Sequence, residues 1–72
     1  MTPSILRKLW ATVESTQSST LLQLDDHSLV DVLIDTITAT QSVDPDEIDG
    51  LAEYIHSKIP LIRDLATNRY AA

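Results

Sequence analysis

The stretch Val43-Asp44-Pro45-Asp46-Glu47-Ile48 contains the clearest helix start in this chain of 72 residues. Asp44 is a good N-cap residue, and Pro45 suits the first helical position, where its missing N–H costs nothing. Glu47 can reach back toward the cap in a capping-box arrangement. Apolar residues then recur every three or four positions, at Ile48, Leu51, Ala52, Ile55 and Ile59. This spacing predicts a helix over residues 45–58.

Downstream, Pro60 is expected to end or kink this helix, because the residue before a proline avoids the helical conformation. Apolar residues resume after the proline at helical spacing, at Leu61, Ile62, Leu65 and Ala66. The sequence therefore predicts a short last helix over residues 60–68.

Upstream, Asp25 is a second N-cap candidate, and it predicts a helix over residues 26–40. The segment Val30–Thr40 also alternates between β-branched and other residues, a pattern that suits a strand. A strand needs a partner, and no other segment of the chain alternates in this way. We therefore interpret residues 26–40 as a helix that is apolar over most of its circumference.

A further helix is predicted at the amino end, where Thr2 is a suitable N-cap and Pro3 occupies the first position. The Ser/Thr-rich tract 15–20 weakens the pattern, because these side chains compete for backbone hydrogen bonds. We expect a continuous helix over residues 3–22, and a break within the tract is the alternative. The chain is thus predicted to be a single all-α domain, a bundle of three main helices plus a short C-terminal fourth helix.

The charge and the apolar content of the chain argue against several classes of function. The net charge is −6, and ten acidic residues but no lysine or arginine lie between Glu14 and Glu53. Such a chain repels phosphates over most of its length, which argues against nucleic-acid binding.

No apolar run is long enough to span a bilayer, and residues 1–10 lack the apolar region of a signal peptide, so we expect a cytoplasmic protein. Trp10 beside Arg7 and Lys8 leaves peripheral binding to a membrane surface as a weaker alternative.

No catalytic residue, cofactor site or metal site is predicted. The chain has no cysteine and a single glycine, so it lacks a thiol nucleophile and a phosphate-cradling loop. His27 and Asp31 share a helix face and could supply two metal ligands, with His56 as a third. We interpret them instead as ordinary surface groups.

The run Asp26-His27-Ser28-Leu29 resembles the Asp-Ser-Leu motif at which acyl carrier proteins bear their prosthetic group. The resemblance implies a carrier domain modified on Ser28. This sequence departs from the motif in having His27 where the family has Asp, and it lacks the long loop that precedes the modified helix. Both departures leave the carrier hypothesis as an alternative.

The favoured hypothesis is a non-enzymatic protein-interaction or regulatory module that associates with itself as a homodimer. A core of this size rarely contributes more than about 3–5 kcal/mol to the free energy of folding. Without disulfides or a metal site, association with a partner chain is the remaining source of added stability. The contact is expected on the second predicted helix or the last one. Four residues are candidates for binding a protein partner, namely Asp31, Asp35, Trp10 and Arg63. The like charges of Asp31 and Asp35 repel each other, which suggests a face turned to a basic partner.

The segments 21–26, 28–30 and 54–65 together resemble a group of short cyanobacterial proteins of unknown role. The resemblance covers most of the chain, through helix caps and core residues. It implies a cytosolic bacterial origin and a helical fold, and it implies nothing about mechanism.

Overall fold

The computed structural model describes residues 2–71, with the side chains of residues 2–69. The four helices are α1 (Pro3–Ser15), α2 (Ser18–Gln23), α3 (Asp26–Thr40) and α4 (Pro45–Ala71). No strand occurs within this range. The predicted all-α class is confirmed, although the short helix is the second along the chain and not the last.

Helix starts agree with the sequence pattern. The Thr2 hydroxyl oxygen accepts a hydrogen bond from the Ile5 N–H at 3.3 Å, and Asp25 Oδ2 accepts one from the Ser28 N–H at 3.4 Å. Helix α3 covers the predicted residues 26–40, so the strand alternative is wrong. Its threonines are accommodated because their hydroxyls bond the preceding turn, as when Thr36 Oγ1 donates to the Val32 carbonyl at 2.9 Å.

The predicted continuous helix over residues 3–22 is wrong, because the chain breaks at Thr16 and Gln17, both of which are extended. The Thr16 hydroxyl and the Thr16 N–H both donate to the Thr12 carbonyl, at 2.6 Å and 3.0 Å, and these bonds close the last turn of α1. The break redirects α2 so that Leu21 is fully buried in the core. Burial of that leucine offsets the lost helical bonds.

The predicted boundary at Pro60 is also wrong, because α4 continues through the proline as one helix. Pro60 lies on the exposed side, where the carbonyl that it leaves without an N–H partner can bond water. Ile59 and Ile62 on either side are both buried in the core. Burying Ile59 and Ile62 on the same face of one continuous helix outweighs the cost of about 3 kcal/mol for a proline within a helix.

All four helices contribute to one core. Helix α3 packs against both α1 and α4, while α2 packs on α4. The most deeply buried side chains are Leu9, Leu21, Leu29, Leu33, Ile37, Leu51, Ile55 and Ile62. Trp10 is half-buried and packs against this core from its edge. The arrangement leaves one flank of α4 beside the end of α1 uncovered.

Candidate interaction surface

The uncovered flank of α4 carries two exposed leucines. Leu61 is 46% exposed and Leu65 is 41% exposed, and they lie one helical turn apart on the same face. Tyr54, Lys58, Leu61 and Leu65 follow one another at intervals of four, three and four residues. This is the spacing of a helical seam that faces another helix. We call these four residues the α4 seam.

A shallow groove borders the carboxyl end of the α4 seam. Its volume is about 240 Å³, and it is lined by Val13, Glu14, Leu65 and Arg69. The groove therefore joins the end of α1 to the end of α4, with apolar side chains on both walls. Its rim carries one acidic and one basic side chain.

Arg69 fixes the geometry of this groove. Its guanidinium donates to the Glu14 carbonyl at 3.1 Å and to the Thr16 and Val13 carbonyls at 3.5 Å. These carbonyls belong to the last turn of α1 and the residue after it, where helical partners are missing. Arg69 thereby supplies the positive charge that this helix end favours and that the last turn of α1 lacks.

Glu14 at the groove and Lys58 on the α4 seam are not in ion pairs among the described residues. The Lys58 ammonium lies 5.7 Å from the centre of the Tyr54 ring, a cation–π distance. The Glu14 carboxylate is exposed, and Arg69 bonds its backbone and not its side chain. A basic and an acidic group are thus available to charges on another molecule.

Arg63, which was predicted to bind a partner, is engaged within the chain. Its guanidinium donates to the Leu21 carbonyl at 3.0 Å, the Leu24 carbonyl at 2.9 Å and Asp26 Oδ1 at 2.7 Å. A longer bond of 3.4 Å reaches the Leu22 carbonyl. These contacts hold the end of α2 and the start of α3 on α4. Arg63 therefore has a structural role within the chain.

The other predicted partner residues lie on other helices, Trp10 on α1 and Asp31 and Asp35 on α3. Asp31 and Asp35 are exposed on α3 on either side of Val32, which is 37% exposed. His27 Nε2 lies 3.5 Å from Asp31 Oδ2, with both groups open to solvent. Within the described residues no ion pair joins Asp31 or Asp35 to Arg63. The four predicted residues do not form a single polar network.

Sequence reasoning named the last helix as a contact candidate but missed Leu61 and Leu65 as site residues. The signal was present in the spacing of the α4 seam. It was hidden by the predicted boundary at Pro60, which separated Tyr54 and Lys58 from the two leucines.

Ser28, the residue of the carrier hypothesis, is half-buried in the first turn of α3. Hydrogen bonds from its side chain and then from its backbone hold the pKa of Asp25 below the ordinary value of 3.8. Its modification stays a prediction. The geometry assigns it at least one role, as a donor to the cap of α3.

The lowered pKa of Asp25 predicts a pH-dependent contribution to stability. The carboxylate is favoured in the folded state, so its contribution is complete above the ordinary pKa and is lost as the pH falls through the lowered folded pKa. Asp25→Asn keeps a capping oxygen but removes the titration. We expect the wild type to exceed this variant in unfolding free energy at neutral pH, and the difference to shrink as the pH falls below the ordinary pKa of Asp25. Urea titrations at several pH values measure it, and a difference that stays constant would contradict the prediction.

Two further features were sought in the described part of the chain. No three histidine, aspartate or glutamate side chains there lie close enough together to hold a metal ion. None of the described helices combines the length and the apolar character that crossing a membrane requires.

Comparison with known proteins returns no relative. No family model matches the chain, and no curated protein and no solved structure matches it.

Proposed function

We propose that this chain is a small, non-enzymatic protein-interaction module that binds a second copy of itself through the α4 seam. The observation that carries the proposal is the pair of exposed leucines, Leu61 and Leu65, on one face beside an apolar groove. Contiguous exposed apolar surface at a groove is typical of an interaction site.

Energetics favour covering this surface. A chain of 72 residues has a small core, and burying apolar area stabilises by about 25 cal/mol per Å². A partner that binds only the folded state adds stability by mass action. Covering Leu61 and Leu65 would therefore add stability that this chain cannot obtain from disulfides, since it has no cysteine.

A second copy is a fitting partner because it presents the same seam. Two helices with matching spacing can interlock their side chains, and a twofold axis lets one surface complement itself. The seam is short, so the interface falls in the small class of transient contacts. We expect a dissociation constant on the order of 10–100 µM.

The test is the mass of the wild-type chain in sedimentation equilibrium from about 5 µM to about 500 µM, a range that brackets the expected affinity. We expect the mass to rise from 8.0 kDa toward twice that value. Leu61→Glu should remain monomeric throughout, because dimerisation would bury an unpaired carboxylate.

Val32→Glu is the matched control, since Val32 is another exposed aliphatic residue, on α3. It should dimerise as the wild type does, with circular dichroism verifying that both variants are folded. A wild type that stays monomeric at the highest concentration would refute the proposal. Loss of the dimer in Val32→Glu alone would move the contact to α3.

A further inference from the structure

We infer that the two copies pair through antiparallel α4 helices, with Lys58 of each copy meeting Glu14 of the other across the groove. The inference rests on the proposed self-association and specifies its geometry. It gives functions to two charged side chains, Lys58 and Glu14, that have no ion pair within the described part of the chain.

The first step concerns helix direction. In a parallel pair equal positions face each other, so Lys58 would lie against a second Lys58, which is repulsive. In an antiparallel pair with its twofold axis near residue 63, Leu61 faces the second copy's Leu65 and both leucines become covered. The antiparallel arrangement therefore buries the exposed pair without opposing the two lysines.

The second step places Lys58. It lies five residues before the axis, about 7.5 Å along the helix at a rise of about 1.5 Å per residue. Its counterpart on the facing helix is therefore Asn68, one turn beyond Leu65. The adjacent Arg69 is a like charge, but its guanidinium is already bonded to the carbonyls at the end of α1 in its own chain. Glu14 lines the groove at this level, together with Leu65 and Arg69.

The Lys58 side chain is long enough, and of the right charge, to meet Glu14 of the second copy. Lys58 is half-buried along its aliphatic stem with its ammonium 5.7 Å from the Tyr54 ring centre, and a lysine can extend its charged end past apolar surface. The exposed Glu14 carboxylate is the complementary group at the rim of the groove. Twofold symmetry forms this ion pair twice, which gives the contact a defined register.

The alternative surface, on α3, lacks such complementarity. Helix α3 has no lysine or arginine, and its exposed Val32 follows Asp31 and lies one turn before Asp35. A twofold contact there would bring acidic side chains against acidic side chains. Charge therefore favours α4 over α3 as the face that meets a second copy.

The experiment is a charge swap on the full chain, read as the dimer dissociation constant in sedimentation equilibrium. Lys58→Glu and Glu14→Lys should each weaken the dimer by about tenfold, because like charges then meet across the groove. The double variant Lys58→Glu/Glu14→Lys should recover to within about threefold of the wild type, since both pairs are restored with reversed sign. Lys8→Glu, on α1, makes the same change in net charge as Lys58→Glu and should weaken the dimer by less than about twofold.

The outcomes separate the inference from the proposed function. A wild-type chain that stays at 8.0 kDa removes the proposed function and the inference together. A wild-type dimer that the double variant fails to restore overturns only the antiparallel Lys58–Glu14 arrangement. Equal weakening by Lys58→Glu and Lys8→Glu has the same consequence, because it would reflect net charge alone. Circular dichroism of each variant verifies that a lost dimer is not a lost fold.

Discussion

Replacing Leu33 with alanine is expected to lower the free energy of unfolding by about 3 kcal/mol, the typical cost of truncating a buried leucine. Leu33 is fully buried on α3, the helix that packs against both α1 and α4. The substitution removes apolar contacts and leaves a cavity between helices that cannot fully close over it. Because a core of this size supplies about 3–5 kcal/mol, the variant should keep only about 0–2 kcal/mol and be partly unfolded without denaturant.

The neighbouring residue provides the control. Val32 is on the same helix but is 37% exposed, and alanine is the better helix former. We expect Val32→Ala to change the free energy of unfolding by less than about 1 kcal/mol in either direction. Urea titrations followed by circular dichroism, at a protein concentration of about 2 µM to limit association, compare the two. Similar losses in both variants would contradict the buried position of Leu33.

Local chemistry explains why parts of the fold could be predicted from sequence. The Asp25 side chain caps the start of α3, and Pro45 suits the first position of α4 whatever packs above it. The apolar stripe of residues 48–59 likewise identifies its own buried face. These features depend only on residues within one or two helical turns, so they can be predicted from the sequence alone.

The two errors in helix boundaries have a tertiary cause. Helix α1 ends at Ser15, where Arg69 donates hydrogen bonds to the carbonyls that lack helical partners. Arg69 is more than fifty residues away in sequence. Pro60 fails to end α4 because Ile59 and Ile62 are both buried by the other helices. Neither the distant donor nor the burial can be read from the local pattern, which by itself favours the opposite result at both places.

The candidate surface was only partly predictable for the same reason. That α4 would carry a contact was an expectation, but the α4 seam becomes visible only when Tyr54 and Leu65 lie on one uninterrupted helix. Asp31 and Asp35 are exposed, and their contact with a basic partner stays a prediction. Arg63 shows the converse, because nothing in its own neighbourhood indicates that three carbonyls around α2 will be its acceptors.

Arg63→Ala is expected to lower the free energy of unfolding by about 2–3 kcal/mol, the range for hydrogen bonds to a charged group with a discount for exposure. The side chain is 26% exposed, and its four acceptors include carbonyls at the end of α2, a helix with no basic residue in its last turn. Truncation leaves Leu21 and Leu24 with carbonyls that have lost their donor, and it frees Asp26 from its ion pair. Urea titration measures the loss.

Two comparison variants identify the source of that loss. Arg63→Lys keeps the charge but replaces a planar fork by a single ammonium, so we expect it to recover less than half of the lost free energy. Arg69→Ala removes a similar arginine whose bonds are longer and exposed, and it should cost about 1 kcal/mol or less. If Arg63→Lys were as stable as the wild type, charge near the end of α2 would suffice, and the directed hydrogen bonds would not be what holds α2 on α4. If Arg63→Ala were neutral, α2 would be held by the burial of Leu21 alone.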